Sequence, residues 1–513
     1  MESSPASEHA TEAKSVPLRP PLALYAMLLG IAVPLAGGLT YAGYPCPTSD
    51  DSFYRSAAAE LVQAGRMAIP STIGLVPRIE TVFACYPPIY QFLQAGWYLL
   101  FGFSLYSSLA FTFTIHLLNA LAVLTVSWQL LRGANDVSPF RRGVLVLGLG
   151  LIQVANLAYF DRQEETALLW LWLELLVALH FAPGLGRALS SGLLLGLTAL
   201  TSPWVGLLGG VMVALRTLAE LGVTDASGGS CPRRANGWRR ALVHLGVTAI
   251  LSMALVACWV GTMELHYPGI IDDQFFGLMR HIGRNQGAPE LSKNLAQFGN
   301  MLLYNKPQLP ILFLTLVLFP LALVHAGWRH IEPVAFSLYF AGLFGIVVVA
   351  VLRPIAYPYL GTVQILLLPC FAPALVRYLR GEPLAAAFGL GLLALCLVFA
   401  WQRPAAYVKA AFTLPEQERP DAVCRRLAEV IAPGERVNIT GRFWHCFQGR
   451  NPWYEAYFLR NERDEMLRAR WFILAQGVGT PAWIDEYELV EEVPASVDAD
   501  YSYAYSLWRR REH

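Results

Sequence analysis

The sequence predicts an all-α polytopic membrane protein followed by a small α/β domain outside the membrane, and three observations carry that expectation. Of 513 residues, 55% are hydrophobic and only 15% are charged, against about 25% charged in a soluble domain, too little polar surface to coat a globule. Apolar runs long enough to cross about 30 Å of hydrocarbon recur along the chain. From about residue 402 the composition turns rich in Arg, Glu and Asp, with short alternating runs in place of long apolar ones. The formal net charge of +1 is segregated along the chain, and no basic tract offers a footprint for nucleic acid.

Taken in order, residues 1–21 form a polar tail, and the run from Leu22 to about Gly38 opens the membrane region. No small-x-small cleavage site follows that run, so it reads as an uncleaved first helix rather than a signal peptide. About eleven spans are expected, near 22–43, 108–131, 143–160, 165–182, 188–202, 203–219, 241–261, 308–326, 332–351, 360–377 and 384–401. The stretch of about 30 apolar residues around Ser202-Pro203-Trp204 is either one helix or a tight hairpin. Cytoplasmic loops collect Lys and Arg. Two crossings keep Arg216, Arg233, Arg234, Arg239 and Arg240 on the same side as Arg132, Arg141, Arg142, Arg329, Arg377 and Arg380. The hairpin is therefore expected. With the N-terminus inside, the outer segments are 44–107, the turn at 161–164, residues 262–307, the turn at 353–359 and the domain at 402–513. Within that domain Arg436-Val437-Asn438-Ile439 and Trp471-Phe472-Ile473-Leu474 read as strands, and 421–432 as a helix.

Cysteine usage agrees with this sidedness. Cys46 and Cys85 share the first outer loop, and Cys424 and Cys446 share the outer domain, so two disulfides are open in an oxidising compartment. Cys258, Cys370 and Cys396 sit in apolar spans and read as packing residues.

Chemistry concentrates at the outer helix ends. Ser49-Asp50-Asp51-Ser52-Phe53-Tyr54-Arg55 opens an amphipathic helix. Phe53, Ala57 and Leu61 beside Tyr54, Ala58 and Val62 form its apolar face; Arg55, Glu60, Gln63 and Arg66 form the polar one. Such a helix is expected along the membrane interface. Asp50 and Asp51 suit an N-cap, yet a cap needs one such residue and Ser49 could serve. Tyr86-Pro87-Pro88-Ile89-Tyr90 starts a second interfacial helix. Asp161-Arg162-Gln163-Glu164-Glu165 holds four charges between two spans, more than a polar turn needs. Facing the Asp50-Asp51 loop, it would line one cavity with it, Arg162 serving as counter-ion or phosphate ligand. His266, Arg280, Arg284, Arg353 and Tyr357 add cations and aromatics at other outer ends. Arg suits a phosphate oxyanion through its fixed fork of donors.

In this order and on this one side, the segments resemble the C-type glycosyltransferase superfamily, in particular its protein O-mannosyltransferase and lipid A aminoarabinose transferase branch. The resemblance rests on Asp50-Asp51, on Tyr86-Pro87-Pro88 with Phe101-Gly102, on Asp161-Arg162-Gln163-Glu164, and on the Gly-rich span from Gly192 to Pro203. It covers roughly residues 20–400. Two positions depart from the pattern: Tyr86 stands where many relatives carry His or Lys, and Ser202 stands where a Lys is usual. Each removes a phosphate-binding cation.

The resemblance implies a bacterial inner-membrane enzyme, with 22–401 as its catalytic domain, the N-terminus cytoplasmic and the C-terminus extracytoplasmic. It implies a polyprenyl-phosphate sugar donor, and a glycan, lipid or protein acceptor. Asp50, assisted by Asp51, is expected to act as base toward an acceptor hydroxyl. Asp161, Glu164 and Glu165 would orient the acceptor, Asp161 or Glu164 with a divalent metal ion. Arg162, Arg280, Arg284 and Arg353 would hold the donor phosphate, and Tyr54, Tyr86, Tyr90, His266 and Tyr357 would line the cavity. A secondary transporter would instead place ionisable groups near the midplane of repeated halves, and a non-catalytic lipid-binding relative would need neither acidic cluster.

Overall fold

The computed structural model describes residues 20–73, 75–132, 137–159, 162–225, 232–278, 280, 292, 294–296, 298–299, 320, 333–352, 357–380, 383–456, 468–481, 483–497 and 502–511. The membrane region is helical: α1 Leu22–Ala42, α2 Ser49–Ala64, α3 Ile89–Phe101, α4 Leu105–Leu130, α5 Pro139–Val154, α6 Gln163–His180, α7 Leu185–Thr201, α8 Pro203–Asp225, α9 Pro232–His266, α10 Pro333–Leu352, α11 Tyr357–Leu367, α12 Phe371–Arg380 and α13 Pro383–Ala400. Among the described residues six helices are long and apolar enough to cross a membrane, or seven if the pair bent by 41° at Trp401 is one span. The expected count of eleven is higher because it includes helices such as α6, whose Glu164, Glu165 and Glu174 interrupt an apolar run. The expected span at 308–326 lies almost wholly outside the described residues.

The hairpin at Ser202 is present. A Cβ on Gly206 would lie 2.8 Å from the Cα of Ala199, whereas residues seven apart in one continuous helix stand about 10 Å apart along its axis. The chain must therefore reverse, and only a residue without a side chain fits the contact. At the far end of α1, Gly43 has φ +76°, and a Cβ there would strike the ring of Pro420. This turn thus carries the chain out of the bundle and against the C-terminal domain.

That domain begins with α14 Gln402–Thr413 and α15 Pro420–Val430. Its sheet comprises β1 Val437–Ile439, β2 Trp453–Glu455, β3 Trp471–Ala475, β4 Tyr487–Val493 and β5 Tyr505–Arg510, in the order β2-β1-β3-β5-β4. β1 runs parallel to β2 and β3, while β5 runs antiparallel to β3 and β4. The two strands and the helix expected here correspond to β1, β3 and α15. A single apolar core runs from Leu28 and Leu124 in the bundle to Trp444 and Leu507 in the domain. Cys424 and Cys446 are joined as a disulfide. Cys46 and Cys85 are both buried and not disulfide-bonded, packed in different apolar clusters, so the second bridge is not formed.

Candidate active site

The N-terminus of α2 sets the site. Thr48 is its N-cap: the Asp51 carboxylate accepts from the Thr48 backbone N–H and hydroxyl, each at 2.7 Å, while the Thr48 hydroxyl accepts from the Asp51 N–H at 3.5 Å. This capping box satisfies helix-end donors reciprocally. The cap is thus Thr48 rather than Ser49, with Asp51 as its reciprocal partner, and Asp50 is left to point elsewhere. Burial pushes the Asp51 carboxyl up to about 6, against the opposing pull of Arg55.

Arg162, the residue before α6, gathers the second cluster. Its guanidinium donates to Asp50 at 3.1 Å and to the Tyr54 hydroxyl at 2.7 Å, and it lies 3.6 Å from the buried Glu164. Its backbone N–H donates to Glu165 at 2.8 Å. The guanidinium also stacks 5.0 Å from the Tyr54 ring centre. Side-chain exposure is 52% for Asp50, 17% for Arg162 and 1% for Glu164, so of this group Asp50 is the one open to a ligand. Burial drives the Tyr54 and Tyr86 hydroxyls well above the usual phenol range and keeps both neutral.

Asp50, Asp51, Arg162 and Glu165 line a cavity of about 270 Å³ with His116, Asn156, Tyr159, Gln364, Arg403 and Tyr407. Arg403 stacks 4.3 Å from the Tyr159 ring centre and donates to Tyr407 at 3.3 Å. Tyr86 and Tyr90 pack on Tyr54 in an aromatic cluster beside this cavity, and Tyr359 lies within electrostatic reach of Tyr54, Tyr86 and Arg162.

Other expected residues fall elsewhere. Arg280 is exposed and held by the Asp272 carboxylate at 2.9 and 3.2 Å, away from the cavity lining. His266 ends α9 in an exposed position and bonds its own helix at Thr262. Asp161, Arg284, Arg353 and the side chain of Tyr357 lie outside the described residues. As for a metal, the space between Asp50 and Glu164 is filled by the Arg162 guanidinium, which supplies the positive charge a divalent ion would bring. The described donors therefore do not fit an ion there. Cys424, His445 and Cys446 also cluster, but the two sulfurs are bonded to each other, and burial pushes His445 down to about 3.

Two supports went unread in the sequence. The first is a polar row on α4, at Thr112, His116 and Asn119, spaced four and three apart on one face. Thr112 accepts from Arg55 at 2.8 Å, His116 Nε2 bonds the Tyr159 carbonyl at 3.1 Å, and Asn119 donates to the Glu165 carbonyl at 2.9 Å. This row fixes both ends of the Arg162 turn. A His inside an apolar span is itself a signal of function. It also corrects the view of α2 as a helix with one wet face, because Arg55 is fully buried against α4. The second support is Glu455 at the end of β2. Fully buried, it accepts from the hydroxyls of Ser49 at 2.9 Å and Ser52 at 3.2 Å. A Cβ on Gly441 would sit 2.5 Å from the Ser49 Cα, so the domain's backbone rests directly on the turn before Asp50.

Fold and cavity together define a polytopic membrane protein with a charged cavity at one end of its bundle, roofed by a mixed sheet. No family model matches this sequence, and no curated protein matches it. Among solved structures, the fold is similar to the crystal structure of ArnT from Cupriavidus metallidurans in the apo state, with a TM-score of 0.58, 13% identity, and 95% of this chain and 98% of that one covered. The structure of ArnT from Cupriavidus metallidurans bound to undecaprenyl phosphate is similar at a TM-score of 0.59 and 13% identity, covering 94% of this chain and 97% of that one. At such identity the likeness is one of fold.

Proposed function

We propose that this protein is a membrane glycosyltransferase that moves a sugar from a polyprenyl-phosphate donor to an acceptor hydroxyl on the outer face of the membrane. The observation that carries the reading is the half-exposed Asp50 carboxylate on a cavity wall, opposite the cation of Arg162. The likeness of fold to ArnT, one of whose structures holds undecaprenyl phosphate, and the order of the sequence motifs support the lipid-linked donor.

In this reading Arg162 has two partners in turn. Paired with Asp50 at 3.1 Å, it holds that carboxylate at the cavity wall. An arriving donor phosphate competes for the guanidinium, which suits an oxyanion, and so releases Asp50 to act as base. The acceptor O–H proton passes to Asp50, and the acceptor oxygen bonds the anomeric carbon from the face opposite the phosphate. The carbon–oxygen bond to phosphate breaks, its electron pair stays on the lipid phosphate, and the configuration inverts. Arg162 stabilises that developing charge, with Tyr54 holding the guanidinium. Incubating the purified protein with a panel of polyprenyl-phosphate sugars should release free lipid phosphate for one of them. Substrate uptake by sealed vesicles without any such release would favour a transporter instead.

A further inference from the structure

On the other side of α2 lies a second cleft, of about 170 Å³, walled by α2, by the turn Pro70–Thr72 and by the segment leading into β2. Its polar lining is mostly amide and hydroxyl: Glu60, Gln63, Ser71, Gln448 and Asn451, with the indole of Trp453. These groups are already aligned. Trp453 Nε1 donates to Gln448 Oε1 at 3.0 Å, and Gln448 Nε2 donates to Gln63 Oε1 at 3.1 Å, tying the domain to α2 across the cleft. The hydroxyl of Ser71 and Oδ1 of Asn451 are buried and have no hydrogen-bond partner among the described residues. The Asn451 amide nitrogen, by contrast, donates to the Ala432 and Glu435 carbonyls at 2.7 and 3.0 Å. Buried polar atoms of this kind are normally satisfied.

The chemistry narrows the ligand. Among the described residues the lining holds one carboxylate, Glu60, which is paired with Arg66 at 2.9 Å, and no cation. A phosphate or carboxylate would find no counter-charge there, and an amine would have to displace Arg66. A planar amide presents a donor and an acceptor side by side and a carboxylate presents two acceptors, which together match neighbouring hydroxyls, while an indole offers an apolar surface with a polar tip. We propose that this cleft is a subsite for a neutral saccharide. Glu60 is ten residues from Asp50 on the same helix, about 15 Å along its axis, so a short glycan laid beside α2 would present its end near the carboxylate. Assigning that glycan to the acceptor rests on the transfer reaction proposed above; the binding itself does not.

Calorimetry on the full chain in nanodiscs, with mannotetraose, cellotetraose and chitotetraose as probes, tests the subsite. One of the three should bind. Gln63→Leu and Ser71→Ala should each weaken that binding about tenfold while leaving the release of lipid phosphate from donor alone unchanged, and Ser71→Ala, whose hydroxyl makes no bond among the described residues, should keep the wild-type melting temperature. Binding by none of the three at about 10 mM, where even weak sites fill, overturns the proposal. So does binding that both variants leave intact. If saccharide binding is present and lost in the variants while no donor is consumed, the subsite stands and the transfer reading falls.

Discussion

Among the described residues, two clusters of buried charge in the helical region are built on opposite plans. The inner one joins α6, α7 and α8. Glu174 takes Arg216 through both carboxylate oxygens at 2.7 and 2.8 Å and the Ser191 hydroxyl at 2.7 Å, and both side chains of the ion pair have zero exposure. Arg187 closes the network on Glu220 at 2.5 Å. None of these residues lines the larger cavity. The outer cluster of Asp50, Tyr54, Arg162 and Glu164 has the same ingredients, but exposure falls steeply from Asp50 to Glu164, and its open end forms a cavity wall. A charge pair whose oxygens all face protein donors ties helices together. One whose carboxylate half-faces a cavity is available to a ligand. Ionisable groups within a bundle are therefore not in themselves a sign of transport, because here the deeper set is the saturated one.

The contrast can be broken at several points. Asp50→Asn should lower sugar transfer by about 10²–10⁴-fold without shifting the melting temperature; transfer at the wild-type rate would remove Asp50 from the mechanism. Arg216→Ala should do the reverse, destabilising the bundle by about 3–5 kcal/mol because Glu174 is left buried and unpaired. Replacing both as Glu174→Met with Arg216→Leu should restore most of that stability, and thermal melts in detergent would read both variants. Glu455→Ala should lower kcat about tenfold with KM little changed, since a small misplacement of a reacting group costs that much. Glu455→Gln, which keeps one acceptor oxygen, should recover part of it. A parallel rise in KM would assign Glu455 to substrate contact instead.

The smallest effect concerns Asp51. Its folded-state pKa of about 6 exceeds the ordinary value of 3.8, so between those values the folded protein binds more protons than the unfolded chain. Stability from this group is highest below about pH 4, falls as pH rises to about 6, and is flat above. Asp51→Asn, which keeps an oxygen for Thr48, should flatten that slope in melting curves recorded from pH 4 to 7.

Legibility in the sequence followed the range of the interactions. Apolar runs and Arg placement depend on local composition, so the helices of the bundle and the reversal at Ser202 could be read directly. Period-two runs likewise marked β1 and β3. The wet face expected at Arg55 is absent because a helical wheel presumes one dry and one wet face, whereas α2 is enclosed by α3, by α4 at Arg55 and by the C-terminal domain at Ser49. Thr112, His116 and Asn119 were hidden in a span whose mean character is apolar. Arg403 and Tyr407 follow the bend at Trp401, beyond the last apolar run that the sequence marks as a span. Glu455 lies 406 residues from Ser49, and no local pattern announces such a contact. The Cys46–Cys85 bridge failed because sharing a loop does not bring two thiols together, each being enclosed by its own apolar cluster.

The separation between Ser49 and Glu455 also bears on the order of synthesis. The helix that carries Asp50 leaves the ribosome long before the strand on which it rests. Until β2 is made and paired to β1, Ser49 and Ser52 lack their buried acceptor and the turn before Asp50 has nothing to lean on. Any activity that requires α2 to be seated therefore begins late, after the bundle and the roof have both formed. A chain interrupted before residue 455 would carry every charged residue of the outer cluster and still leave Asp50 unplaced.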